Sequence, residues 1–110
     1  MKNFKENCKL ITDYLGLESY TIFMRSRQIK VVYPRQIIIY YYHVIKGYPI
    51  AKILLQFDCV QRTSAYNSIK AINNQMIYKN DKAEIIDILL KLSNSDYAKE
   101  LKIINNLPKT

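Results

Sequence analysis

Glycine is nearly missing from this chain: Gly16 and Gly47 are the two present in 110 residues. That scarcity excludes a glycine-rich phosphate loop of the GxxxxGK[ST] type, whose backbone can approach phosphates only where glycines leave room. Cysteine is as scarce. Cys8 and Cys59 stand far apart with no CxxC and no Cys/His cluster, so neither a disulfide framework nor a zinc site is suggested. Both thiols read as reduced, with Cys8 on the apolar face of the first helix. A single histidine, His43, leaves no His pair for metal-dependent nuclease chemistry, and no nucleophile-base-orienter set is visible in local motifs. His43 lies within an apolar segment and reads as a satisfied structural histidine. Among the ten tyrosines, Tyr40, Tyr41 and Tyr42 read as core and edge packing rather than as a recombinase nucleophile, and Tyr66 as a residue that stacks or packs near a turn. The expectation is a non-enzyme that needs no cofactor and no metal.

Long apolar runs are missing too. None reaches the roughly 18 to 20 residues that span a bilayer, and the N-terminus, with Lys2, Lys5, Glu6 and Lys9, lacks the apolar core of a secretory signal. A soluble, cytoplasmic protein without a membrane partner is expected.

Acidic residues are missing from one region in particular. Residues 1–24 hold three lysines and three acids, and residues 71–110 hold six lysines and five acids. Between them, Arg25, Arg27, Lys30, Arg35, Lys46, Lys52, Arg62 and Lys70 face one acid, Asp58, so nearly all of the net charge of +8 resides there. All four arginines are in this stretch. A guanidinium grips a phosphate through two parallel hydrogen bonds, whereas an ammonium acts as a point charge, so a polyanionic partner is the first expectation.

At this length, and with 49% hydrophobic residues, the chain can bury one core and is too short for two. A single domain over residues 1–110 is expected, with no repeat, linker or low-complexity segment. Phe4, Cys8, Ile11 and Leu15 define a first helix over about residues 4–15, with Gly16 as its stop. A short helix follows near residues 18–24. Residues 25–33 read as a basic loop leading into a helix, which Pro34 would start because its missing N–H costs nothing in a first turn. The run Ile37-Ile38-Ile39-Tyr40-Tyr41-Tyr42-His43-Val44-Ile45 favours a strand by propensity. Its length of about twelve residues from Pro34 and its closure at Lys46-Gly47 favour a central buried helix instead. Further on, Asp81 and Glu84 form a capping box for a helix over residues 82–92, with Ile85, Ile86, Leu89 and Leu92 inward. Ser95 or Asp96 would cap a last short helix through residue 104, within a C-terminal extension of about residues 95–110.

Two apolar-periodic segments joined by Asp58-Cys59-Val60 read as a helix-turn-helix. The first places Ile50, Ile53, Leu54 and Phe57 on one face, and the second buries Ala65, Ile69, Ile72 and Met76. Thr63, Asn67, Lys70 and Asn74 form the opposite face. Hydroxyl, amide and ammonium groups at helical spacing suit base edges and phosphate oxygens, and a solvated surface is the alternative reading.

Several of these residues also match a family pattern. Pro34-Arg35-Gln36 stands as the Pro-Arg-Gln of the C-terminal DNA-binding domain (domain IV) of the bacterial replication initiator DnaA, and Arg25-Ser26-Arg27 stands in the place of that family's basic loop. Ile53, Phe57, Thr63 and Ile72 fall on the signature Ile, Phe, first Thr and closing Ile without gaps. At the six positions of Arg-Asp-His-Thr-Thr-Val this chain has Val60-Gln61-Arg62-Thr63-Ser64-Ala65, and Leu54 and Asp58 replace the signature glycines. Over about residues 11–92 the chain thus resembles that domain. The resemblance implies an all-α, compact multi-helix domain with a helix-turn-helix, of the DnaA domain IV or Trp-repressor-like kind. It also implies that ATPase chemistry belongs to a separate module.

The function expected from charge, helix pattern and resemblance is non-catalytic double-stranded DNA binding in replication or transcription control, with a nucleoid-associated location. Gln61, Arg62, Thr63, Ser64 and Asn67 would read the major groove, Arg25 and Arg27 would reach an adjacent minor groove or its phosphates, and Lys30, Arg35, Gln36, Lys52 and Lys70 would hold the backbone. The alternative is a small helical module, derived from such a domain, that binds a protein partner or a second copy of itself.

Overall fold

The first helix, α1 (Phe4–Tyr14), forms where the sequence places Phe4, Cys8 and Ile11 on one stripe, and all three are buried. It ends as Gly16 requires. With φ at +72° the glycine turns the chain, Gly16 N–H bonds to Asp13 O at 3.1 Å and Leu17 N–H reaches back to Thr12 O at 2.7 Å, the paired bonds of a Schellman motif. The computed structural model describes the backbone of residues 1–26, 28–58, 60–78 and 82–105, with the side chains of these residues except 76–78 and 100–105. The expectations placed on Arg27, Cys59, the side chain of Met76 and the Asp81 cap lie outside the described residues.

A 3₁₀ turn (Ser19–Phe23) follows and buries Ile22. The next helix, α2 (Ile29–Tyr40), continues directly into a π-helical turn (Tyr41–Ile45), where Lys46 N–H bonds to Tyr41 O, five residues back, at 3.0 Å. The expected central buried helix is present: Ile37, Ile38, Ile39, Tyr40, Tyr41 and Tyr42 are all buried. Its start differs from the expectation. Pro34 lies inside α2, because Val31 and Val32 N–H both bond to Gln28 O and open the helix five residues earlier. The bond that Pro34 cannot make would go to Lys30 O, in an exposed turn where water can serve that carbonyl. Burial of Val31 and a 3.0 Å hydrogen bond from Tyr33 Oη to Glu84 Oε1 hold this extra turn down.

Two further helices form a pair. In α3 (Ile50–Leu54) Ile50 and Ile53 are buried, and bonds from Gln56 N–H to Ile53 O and from Phe57 N–H to Leu54 O carry a helical course as far as buried Phe57. Then α4 (Arg62–Tyr78) starts with Ala65 N–H bonded to Gln61 O at 3.0 Å and buries Ala65 and Ile72, with Ile69 half-buried. It packs along α2.

The last helix, α5 (Lys82–Asn105), is continuous over 24 residues, so the expected break at Ser95 or Asp96 does not occur. Asp96 is 3% exposed and its oxygens accept from other helices, which leaves them no role as a local cap. Ile85, Leu89 and Leu92 face inward as expected, but Ile86 is exposed and Ile88 takes the core position. The result is an all-α, multi-helix fold in which one apolar cluster joins residues from every helix, with no strand among the described residues.

Candidate functional site

A cleft of about 660 Å³ opens between the loop before α2, the outer side of α2 and the start of α4. Arg25 and Ser26 come from the loop, Val32, Arg35 and Gln36 from α2, Val60 and Gln61 from the connection, and Ser64, Asn67 and Ser68 from α4. The packing of α4 along α2 is what brings these stretches together. Side chains far apart in sequence thus line one concave surface with guanidinium, amide and hydroxyl groups. Helix α4 also aims its N-terminus at the cleft through Gln61 and Ser64, adding the partial positive charge of its first turn.

Six of the residues expected to contact nucleic acid line this cleft: Arg25, Arg35, Gln36, Gln61, Ser64 and Asn67. Arg62, Thr63 and Lys70 are exposed on α4 but do not line it, and Lys30 on α2 and Lys52 on α3 are likewise exposed elsewhere. Helical geometry explains the split. At about 100° per residue, Arg62 and Ser64 point roughly 160° apart, so one flank of α4 meets the cleft while Arg62 projects from the other.

Arg35 needs correction. The sequence assigned it to an outer phosphate contact, but it is 7% exposed, with Nη1 donating to Met24 O at 3.2 Å and Nη2 to Ser26 O at 3.3 Å. With Pro34 inside α2 rather than at its start, the next residue faces inward under a loop whose carbonyls need donors, and a planar guanidinium supplies several. Arg35 therefore fixes the wall of the cleft that carries Arg25 and Ser26, and lines the cleft with little of its own surface open to solvent.

Sequence reasoning missed Ser68 and Val60 in the cleft, although Ser68 follows Ser64 by one helical turn and bonds its carbonyl at 2.9 Å. It also missed a buried polar knot on another side of the core. Asp96 accepts from Tyr41 Oη at 2.5 Å, from Asn7 Nδ2 at 3.2 Å and from Asn3 Nδ2 at 3.1 Å, with Lys46 Nζ at 3.6 Å. Asn7 Nδ2 also donates to Tyr42 Oη at 2.9 Å, and Tyr42 Oη donates to Lys2 O at 2.7 Å. The π turn places both tyrosines and Lys46 on this knot. Burial pushes the Asp96 carboxyl up, but the hydrogen bonds from Tyr41, Asn7 and Asn3 and the charge of Lys46 outweigh it and hold the carboxyl below its ordinary value. Burial, reinforced by Asp96, pushes the Tyr41 hydroxyl well above the usual tyrosine range. The one sequence signal was Asn7, an amide beside the apolar stripe of α1.

Among the described residues, Cys8 and His43 are engaged within the fold. Burial pushes the Cys8 thiol up to about 12, far from the range of a nucleophile. His43 Nδ1 meets Tyr48 O at 2.8 Å, a backbone partner of the kind expected for a structural histidine. Among the described residues no group of three His, Cys, Asp or Glu side chains converges as a metal site, and no helix is long and apolar enough to cross a membrane. Compared with protein-family models, curated proteins and solved structures, the chain finds no match.

Proposed function

We propose that this protein binds double-stranded DNA, with α3 and α4 acting as a helix-turn-helix and the cleft side of α4 set into the major groove. The observation that carries this reading is the convergence of Arg25, Gln36, Gln61, Ser64 and Asn67 on one concave, cationic surface at the start of a helix. Amides of the Gln61 and Asn67 type pair with adenine through two hydrogen bonds, and Ser64 is a donor short enough to sit close to a base edge. Arg25 on the loop reaches the neighbouring phosphates or minor groove, and the exposed Lys30, Lys52, Arg62 and Lys70 raise the surrounding potential. The resemblance of Pro34-Arg35-Gln36 and the basic loop to DnaA domain IV points the same way. Within this reading Arg35 organises the loop and does not touch the phosphate.

The test is selection of bound duplexes from a random pool, repeated at two salt concentrations. Neutralisation of about five phosphates gives a log-log slope of affinity on salt near −4 to −5. Enrichment of one motif marks a specific reader and uniform retention a non-specific one. No retention, or no dependence on salt, overturns the proposal.

A further inference from the structure

We infer that the interior of the cleft between α2 and α4 takes a free nucleoside monophosphate. The duplex reading uses the outer edge of this cleft and leaves its depth without an occupant. A duplex groove is filled by a surface that protrudes, whereas a recess is filled by something small. Here the recess has a polar bottom: Arg35 and Ser68, 7% and 8% exposed, are the buried residues among those that line it. Its volume of about 660 Å³ lies within the roughly 300–1,000 Å³ of small-ligand sites and is far more than one phosphate group fills.

Charge selects the class of ligand. Among the described residues no carboxylate lines the cleft, while the guanidinium groups of Arg25 and Arg35 both do. Arg25 is exposed and suited to gripping a phosphate through paired hydrogen bonds. Arg35 donates to Met24 O and Ser26 O, yet its positive charge acts on an anion from the wall without touching it. A phosphomonoester, with a charge of about −1.5 to −2 at neutral pH, gains more from these charges than a singly charged backbone diester does. The rest of the ligand follows from what lies beyond the phosphate. One turn past Ser64, about 5.4 Å along α4, come Asn67 and Ser68, and Gln36 stands on the α2 wall of the same cleft. Amides both donate and accept, which matches the mixed edge of a base, and the half-buried Val32 and Val60 offer apolar contact to its ring. Inorganic phosphate leaves the amides and valines unused.

Isothermal titration calorimetry of the full chain at low salt, with adenosine monophosphate as the probe beside adenosine and inorganic phosphate, reads this without reference to duplex binding. Saturable binding is expected, with the monophosphate held at least about tenfold tighter than either of its parts. Arg25→Ala is expected to weaken it by about tenfold or more, the loss of a charge-assisted hydrogen bond. Asn67→Ala should weaken it by a few-fold. Lys5→Ala on α1, which removes the same charge away from the cleft, should change nothing. All three positions are exposed, so the helical circular dichroism stays unchanged. No saturable binding, inorganic phosphate bound as tightly as the nucleotide, or equal losses from Arg25→Ala and Lys5→Ala overturns the inference. So does a bound duplex that saturating nucleotide fails to release, because both ligands use Arg25 and Asn67. The two readings fail separately: nucleotide binding without duplex retention removes the helix-turn-helix proposal alone, and duplex retention without nucleotide binding removes this one alone.

Discussion

Two polar regions flank the same core and use similar side chains to opposite ends. Around Asp96, amides, hydroxyls and a lysine close on a carboxylate until it is almost sealed from water. In the cleft at the start of α4, guanidinium, amide and hydroxyl groups line an open surface, and its two buried polar members, Arg35 and Ser68, bond to carbonyls of the loop and of α4. The difference is one of solvation. A buried polar group must find its partners within the fold and then contributes to stability and to a unique arrangement, whereas an exposed one keeps its hydrogen-bonding capacity for whatever displaces its water.

The contrast can be broken most severely at Asp96. Replacing it with alanine leaves Tyr41, Asn7 and Lys46 facing a cavity, and urea unfolding is expected to show a loss of about 3–5 kcal/mol. Duplex affinity of the fraction still folded should stay within about twofold, since the knot lies apart from the cleft. A loss of less than about 1 kcal/mol would make the knot incidental to the fold.

Arg35→Ala tests the residue that belongs to both regions. Two charge-assisted bonds to carbonyls are removed, and a cost of about 2–3 kcal/mol is expected together with weaker duplex binding as the Arg25 loop loses its support. Arg35→Lys should recover little of either, because an ammonium cannot span both carbonyls as a planar guanidinium does.

Acid sharpens the comparison further. The Asp96 carboxyl is depressed in the folded protein, so its contribution is fully present above its unfolded value of about 4 and is lost as pH falls through the lower folded value. Stability should be insensitive to this group from neutrality to about pH 5 and decline below about pH 4. In Asp96→Asn that part of the decline should be missing from a series of acid melts.

The smallest effect on stability is expected in the cleft. Ser64→Ala with Asn67→Ala should shift unfolding by less than about 0.5 kcal/mol, because both side chains are exposed. Fluorescence anisotropy with a duplex should nonetheless show a loss of roughly tenfold or more, consistent with about 1–3 kcal/mol for a good base contact. Unchanged affinity and unchanged sequence preference would remove these residues from the proposed reading surface.

Local pattern made part of this architecture legible. The stripe Phe4, Cys8, Ile11 with Gly16 specified α1 and its end, since an amphipathic stripe and a left-handed stop are both written within a few neighbouring residues. The run from Ile37 to Tyr42 could be read as a central helix because a segment apolar on every side must be covered on every side. The same holds for α4, whose exposed Thr63, Asn67, Lys70 and Asn74 stand opposite buried Ala65 and Ile72. In the cleft, the polar types at Gln61, Ser64 and Asn67 were visible as a helical edge, but their meeting with Arg25 and Gln36 was not.

The misreadings share one cause. Pro34, Arg35, Ser95 and Asp96 were assigned the roles such residues take near helix ends and surfaces, and each would be sound for an isolated helix. Ile86 and Ile88 offered two nearly equivalent inward faces, between which periodicity does not choose.

By itself, then, the amino-acid order determined helical content, the concentration of positive charge in residues 25–70 and the amphipathic faces, because these depend on neighbours within a turn or two. Tertiary structure decided which arginine is spent inside the fold, where α2 begins and that α5 runs unbroken past Asp96. Those outcomes depend on partners brought from distant parts of the chain, Met24 and Ser26 for Arg35, Glu84 for Tyr33, Asn7 and Tyr41 for Asp96. A buried polar group takes whichever partner the packing delivers, and only the folded chain fixes that choice.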